Sequence, residues 1–205
     1  MSLLCEDPMI KNLLLGFAVA FAAGIGFGLL DYFSGSSSST SVVLPMVLGF
    51  LTFLVLQALS GNRKEARVDD ATRQSSLSAP APAGQALLYI YREGFMGKAV
   101  GWNVSLDGKA LAQLRSPRFT HTTINPGSHT LAVSLGGFAG TQNKPAETSF
   151  DAQAGEVIVF AMKTKMSALS NTLSFVREPD TATALQKLSR IPMVAAEPTV
   201  PGVAA

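Results

Sequence analysis

From Asn12 to Leu30 the chain carries no charged side chain. This run, NLLLGFAVAFAAGIGFGLL, constrains the fold more than any other feature, because a helix of that length can cross a bilayer. A hydrocarbon core of ~30 Å needs roughly 20 helical residues. A cleaved secretory signal has an apolar region of only about 7–15 residues behind a basic start. Here Lys11 stands against Glu6 and Asp7, so length and charge predict retention of the helix rather than cleavage at AFAAG. A second uncharged run, VVLPMVLGFLTFLVLQAL from Val42 to Leu59, follows a short serine-rich link. Pro45 falls in its first turn, where a missing N–H breaks no helical hydrogen bond. Tyr32 and Phe33 stand where interfacial aromatics are common. The expected arrangement is an N-terminal segment, 1–11, and a transmembrane helical hairpin over 12–60, with spans at about 12–30 and 42–59.

Basic residues set the expected orientation. Lys11 precedes the first span, Arg63, Lys64 and Arg67 follow the second, and the connecting loop has only Asp31. The positive-inside rule then puts both termini in the cytoplasm, with the hairpin in a bacterial inner (cytoplasmic) membrane. The alternative, in which one span fails to insert, puts the downstream domain in the periplasm. Within the first span Gly16, Ala20, Gly24 and Gly28 recur every four positions, which stacks them on one helix face. Helices associate in lipid largely through close packing, and small residues let two backbones approach. That face predicts either docking on the second span or contact with another membrane protein or a second copy. Mean hydropathy of +0.29 and a charged fraction of 15% reflect these two runs. A net charge of +2 is too small to argue for nucleic acid on bulk electrostatics. The single cysteine, Cys5, excludes an intramolecular disulfide. It lacks the preceding apolar stretch of a lipoprotein signal and reads as a plain thiol, with palmitoylation as the alternative.

Residues 61–84 read as a juxtamembrane helix followed by a Pro/Ala linker, SSLSAPAPAG, that holds the next domain away from the bilayer. From Gln85 the pattern changes to period two. ALLYIYRE is a strand, and WNVSLDGKALAQL is a hairpin around Asp107-Gly108, a dipeptide that favours a primed turn. FTHTTINPGSHTLAVSL reads as a second hairpin around Pro126-Gly127. A two-residue loop there puts Ile124, Leu131, Val133 and Leu135 on one core face with His129, and His121 on the other. TSFDAQAGEVIVFAMK reads as a strand pair around Ala154-Gly155, and TLSFVRE closes the set. The expectation is a membrane-anchored all-β protein. Its antiparallel β-sandwich of about 7–8 strands covers 85–178, with one short helix at 179–191 N-capped by Asp180. The tail, 192–205, contains three prolines and is expected to be disordered or loosely bound.

These residues carry a resemblance. LLYIYRE, then GKAVGWNVSLDGKALAQL, FTHTTINPGSHTL and DAQAGEVIVFAMK together resemble a bacterial family of uncharacterised envelope β-domains. That family often follows lipoprotein signals and is known only as a domain of unknown function. The resemblance covers about 86–176 and rests on turn chemistry, so it implies a fold and no catalytic residues.

Chemistry is sparse. G-x-S-x-G and H-E-x-x-H are absent, and the two histidines sit on opposite faces as surface or edge residues. Asp107, Asp151 and Glu156 lie in or beside turns, where short polar side chains are structurally expected. No catalytic residue, metal ligand or cofactor is expected. The loop YREGFMGKAVGW places Phe95 and Met96 between Arg92 and Lys98, with Trp102 nearby. These residues either cap the sandwich end or meet a partner. The expected function is a non-enzymatic scaffold or protein-interaction module, a subunit of a bacterial envelope assembly. Its expected partners are membrane lipid and a membrane protein or second copy, without nucleic acid. The alternative is a ligand- or glycan-binding domain displayed in the periplasm.

Overall fold

The structure is a computed structural model that describes residues 8–35, 40–63, 66–94, 98–135, 145–166 and 171–197. The chain divides into two compact units that meet in sequence between Gly61 and Asn62.

The first unit is a helical hairpin of α1 (Pro8–Ser34) and α2 (Thr40–Leu59). Both helices are long and apolar enough to cross a membrane. They extend beyond the uncharged runs, since Thr40 and Ser41 also belong to α2. Pro45 consequently lies inside α2, past its first turn, and is buried. The closest approach of the helices uses an absence of side chains. A Cβ on Gly16 would lie 2.9 Å from the Gly49 carbonyl oxygen, and one on Gly49 would lie 2.6 Å from Ala20 Cβ. Toward the open end, the Asn12 amide donates to Gln57 Oε1 at 2.9 Å. That bond pairs the buried Gln57 with a partner on the facing helix, where an unpaired amide in an apolar setting is costly.

The second unit is a sandwich of two four-stranded sheets. Its strands are β1 (Ala86–Arg92), β2 (Trp102–Leu106), β3 (Lys109–Leu114), β4 (Arg118–Ile124), β5 (Gly127–Leu135), β6 (Ala146–Ala152), β7 (Val157–Met166) and β8 (Asn171–Arg177). Sheet I has the order β4-β1-β7-β8, and sheet II the order β3-β2-β5-β6. The core between them includes Leu88, Ile90, Val104, Leu131, Val133, Phe150, Ile158 and Phe160.

Three expectations about connection change here. The sandwich is not wholly antiparallel, because β1 and β7 pair in parallel, Leu87 opposite Val157. Asp107-Gly108 does turn a hairpin, with φ of 50° and 76°, the positive values a primed turn requires. Pro126-Gly127 and Ala154-Gly155 do not: β4 and β5 lie in different sheets, as do β6 and β7. The predicted shared face survives for another reason. Ile124 reaches the interior from sheet I, and Leu131 and Val133 reach it from sheet II.

Sheet I is also covered on its outer face, so every residue of β1 is buried. α3 (Asp70–Ser78) and α4 (Thr181–Leu188) flank a second cluster of Leu87, Tyr89, Tyr91, Phe119, Leu188 and Met193. Asp180 caps α4 as expected, accepting from the Ala182 and Thr183 amides. The juxtamembrane-helix and linker readings are both corrected, because α2 ends at Leu59 and the helix of this stretch is α3. Ser75–Ser78 belong to α3, Leu77 and Ala81 pack against the sheet, and the Tyr89 hydroxyl donates to the Ser76 carbonyl at 2.6 Å. The tail reading is corrected through Glu197. Met193 and Val194 are buried, the Phe119 amide donates to the Pro192 carbonyl, and the Glu197 amide donates to the Leu111 carbonyl. This strap pairs with the free edge of β4 at Phe119 and with that of β3 at Leu111, where unpaired backbone groups would otherwise invite another strand.

Candidate functional site

Two places answer to the residues picked out from sequence. On the hairpin, Gly16 and Ala20 face α2, and a Cβ on Gly24 would meet only Pro45 Cβ at 4.0 Å. A Cβ on Gly28 would meet nothing within 4 Å. Gly16 and Ala20 are therefore used within the chain, on Gly49, while Gly24 lies loosely against Pro45 of α2 and Gly28 is open. Gly49 was the missing counterpart. Beside this contact runs an apolar groove of about 350 Å³, lined by Leu13, Phe17, Met46 and Phe50 among others.

On the sandwich, Arg92 ends β1 in the register that faces the interior. Its guanidinium lies 3.9 Å from the centroid of the Trp102 ring. Nη1 donates to the carbonyls of Val100 at 2.5 Å and Leu114 at 3.2 Å. Burial pulls the Arg92 pKa down to about 10, which still leaves it charged at neutral pH. Arg118 is its cross-strand partner and is also buried, with its pKa lowered by burial. The loop after β1 is stapled to the one after β3: the Ser116 amide donates to the Lys98 carbonyl, and its hydroxyl to the Gly94 carbonyl. Arg92, Lys98 and Trp102 thus belong to one end of the sandwich. Phe95 and Met96 lie outside the described residues.

The same end holds a polar network that the sequence reading missed. The Asn62 amide donates to the Ala99 carbonyl, and its oxygen accepts from the Gly101 amide, both at 2.7 Å. The Arg63 amide donates to Gln113 Oε1 at 2.7 Å, and Gln113 donates on to Asn103 Oδ1 at 2.7 Å. The Arg63 side chain reaches Asn103 and pairs with Glu197 at 2.8 Å. Gly101 is required, because a Cβ there would run into the Gln113 side chain. Spacing could not reveal this set, since its members come from distant parts of the chain.

Elsewhere titratable groups act as pins. His129 Nδ1 meets Asp107 Oδ2 at 2.7 Å, and Nε2 meets the Asn125 carbonyl at 2.8 Å. Burial lowers the His129 pKa, but the Asn125 and Asp107 acceptors more than offset it and raise it overall. His121, on edge strand β4, stacks on Tyr89 at 5.5 Å with its Nδ1 buried, and burial lowers its pKa. Burial likewise pushes Tyr89 up to about 12. The Tyr91 hydroxyl donates to Glu178 at 2.5 Å, and Lys187 pairs with Glu93 at 2.5 Å, which ties α4 to β1. Among the described residues no group of three His, Cys, Asp or Glu side chains converges on a metal position.

The eight strands and their order define the domain. Residues 82–174 match the family described as protein of unknown function (DUF2846). The match begins after α3 and ends within β8, so it covers the sandwich and less than half of the 205-residue chain. No curated protein matches the chain. The DUF2846-like segment leaves out both apolar helices, α3, α4 and the strap at 192–197.

Proposed function

We propose that the chain is a membrane-anchored, non-enzymatic interaction module in which the hairpin is the anchor and the DUF2846-like sandwich is the working surface. The observation that carries this reading is the exposure of the hairpin: Phe17, Phe21 and Phe50 are 65%, 73% and 61% exposed on helices that are apolar all round. Such a surface is unfavourable in water and suits a bilayer. Support for a non-enzymatic role comes from the sandwich, whose buried polar and titratable groups mostly bond backbone or bridge elements. In this reading the anchor sits in a bacterial inner membrane with both termini cytoplasmic, and the sandwich serves an envelope assembly as a scaffold subunit.

A reporter fused after Ala205 tests the orientation: cytoplasmic activity alone is expected. Periplasmic activity would reverse the topology and favour display of a ligand- or glycan-binding domain. Purification in mild detergent should recover a discrete protein partner, and recovery of the chain alone at monomer size would count against a scaffold. Gly28→Leu should leave the hairpin folded, since a Cβ there meets nothing within 4 Å, so loss of a partner in that variant would assign it to the loop end of the ladder.

A further inference from the structure

We propose that the Arg92–Trp102 end of the sandwich is a docking face for anionic phospholipid headgroups. The inference rests on the membrane-anchored reading and adds the partner of that surface.

Three observations converge on it. The first is charge. Among the described residues this end gathers Arg63, Arg92, Lys98, Arg115 and Arg118, against Glu93 and Glu197. The opposite end, at the turns after β2 and β6, carries Asp107, Asp151 and Glu156, against Lys109 and Arg177. The cations of the domain are therefore gathered at the loop end, while the turn end, where His129 pairs with Asp107 and Arg177 with Glu156, is close to balanced. The second is construction. Arg92 is buried and holds the backbone at Val100 and Leu114, so this part of the face is fixed in place. Lys98 is exposed on it, Arg63 half-exposed, and Arg115 partly so. The third is continuity. Asn62 and Arg63 follow the second apolar helix directly in sequence, and both are bonded into this end, through Ala99, Gly101, Gln113 and Asn103. The chain thus enters the domain on its positive end.

The cytoplasmic leaflet is negative, and each basic side chain near it changes association by about five-fold. A cluster of cations attracts such a surface without a pocket, and the attraction weakens as salt rises. The uneven distribution adds direction, because the nearly balanced turn end has no comparable attraction to the same surface.

The test uses the full chain in nanodiscs carrying a headgroup nitroxide lipid, with Cys5→Ser and one fluorophore on Ala99→Cys or on Gln153→Cys. Both sites are exposed, at the loop end and the turn end. Quenching at position 99 should increase when anionic lipid replaces zwitterionic lipid, and fall back at high salt. Quenching at 153 should stay low throughout. Lys98→Glu with Arg115→Glu should reduce the anionic-dependent association by on the order of 100-fold or more. The milder pair Lys98→Gln with Arg115→Gln, with Trp102 emission unchanged as the folding control, should give an intermediate loss. Equal quenching at 99 in both lipids, or stronger quenching at 153, would overturn the proposal. So would charge-reversal variants that lose a co-purifying protein while lipid-dependent quenching stays unchanged. Failure of the anchor itself reads out separately, as wild-type protein absent from the disc fraction.

Discussion

The two faces of sheet I are both buried, by layers of different chemistry. Inward, Leu88, Ile90, Ile158, Phe160 and Met162 meet sheet II in an apolar interior, where Phe160 lies 5.1 Å from Phe150 and 6.1 Å from Phe175. Outward, Tyr89 and Tyr91 meet α3, α4 and the strap through a mixture of apolar contact and single hydrogen bonds, and His121 stacks on Tyr89. The inner layer comes almost wholly from residues 82–174, whereas the outer cover comes from segments on either side of them. A sandwich with one closed interior can thus be given a second, more polar layer by its flanking segments. The inner layer should be stiff and unforgiving, and the outer layer should give way in pieces.

The sharpest way to break this contrast is at Phe160. Phe160→Ala should cost about 3–5 kcal/mol, because close-packed neighbours on both sheets collapse only partly into the cavity. Denaturant unfolding followed by Trp102 fluorescence would measure it, and a cost below about 1 kcal/mol would mean the interior is not closed. Leu188→Ala in the outer layer should cost about 2–3 kcal/mol, at the lower end for a buried leucine, since α4 can shift to fill the space. A loss as large as that at Phe160 would merge the two layers into one core. Tyr89→Phe should cost about 1 kcal/mol or less, the worth of one hydrogen bond, and should speed amide exchange in α3 more than in β1.

The smallest effects, of opposite sign, come from the histidines. The folded state raises the His129 pKa above 6.5, so its stabilisation is complete below pH 6.5 and fades as pH rises through the folded value. The folded state lowers the His121 pKa, so its contribution is complete above pH 6.5 and fades as pH falls toward the folded value. Asp107→Asn should abolish the first slope and His121→Phe the second, as read from unfolding midpoints and imidazole proton shifts between about pH 5 and 8. A His129 pKa that stays raised in Asp107→Asn would move the cause to Asn125.

The same contrast separates what could be read in the sequence from what could not. The strands of the inner layer were legible because alternation is local, and Asp107-Gly108 was legible because both positions need positive φ. The turns at Pro126-Gly127 and Ala154-Gly155 were legible as reversals. Their destination was not, because the choice of sheet depends on packing far along the chain. The strap was misread for a related reason. Pro192 has no N–H, which argues against pairing, yet its carbonyl accepts from Phe119. In the hairpin, a four-residue repeat revealed Gly16 and Ala20, while Gly49, a lone glycine, carried no spacing to notice. At the candidate face, Arg92, Lys98 and Trp102 stood close in sequence and could be picked out together. Asn62, Arg63 and Gln113 were brought there by the fold.

The parallel pair of β1 and β7 bears on how the domain is made. β1 leaves the ribosome first among the strands, yet its two neighbours in sheet I are β4 and β7. Until residues 157–166 have been synthesised, one whole side of β1 offers bare backbone to whatever is near, and the strap that seals the adjacent edges is translated later still. Vectorial synthesis therefore defers closure of sheet I until nearly the whole domain is available.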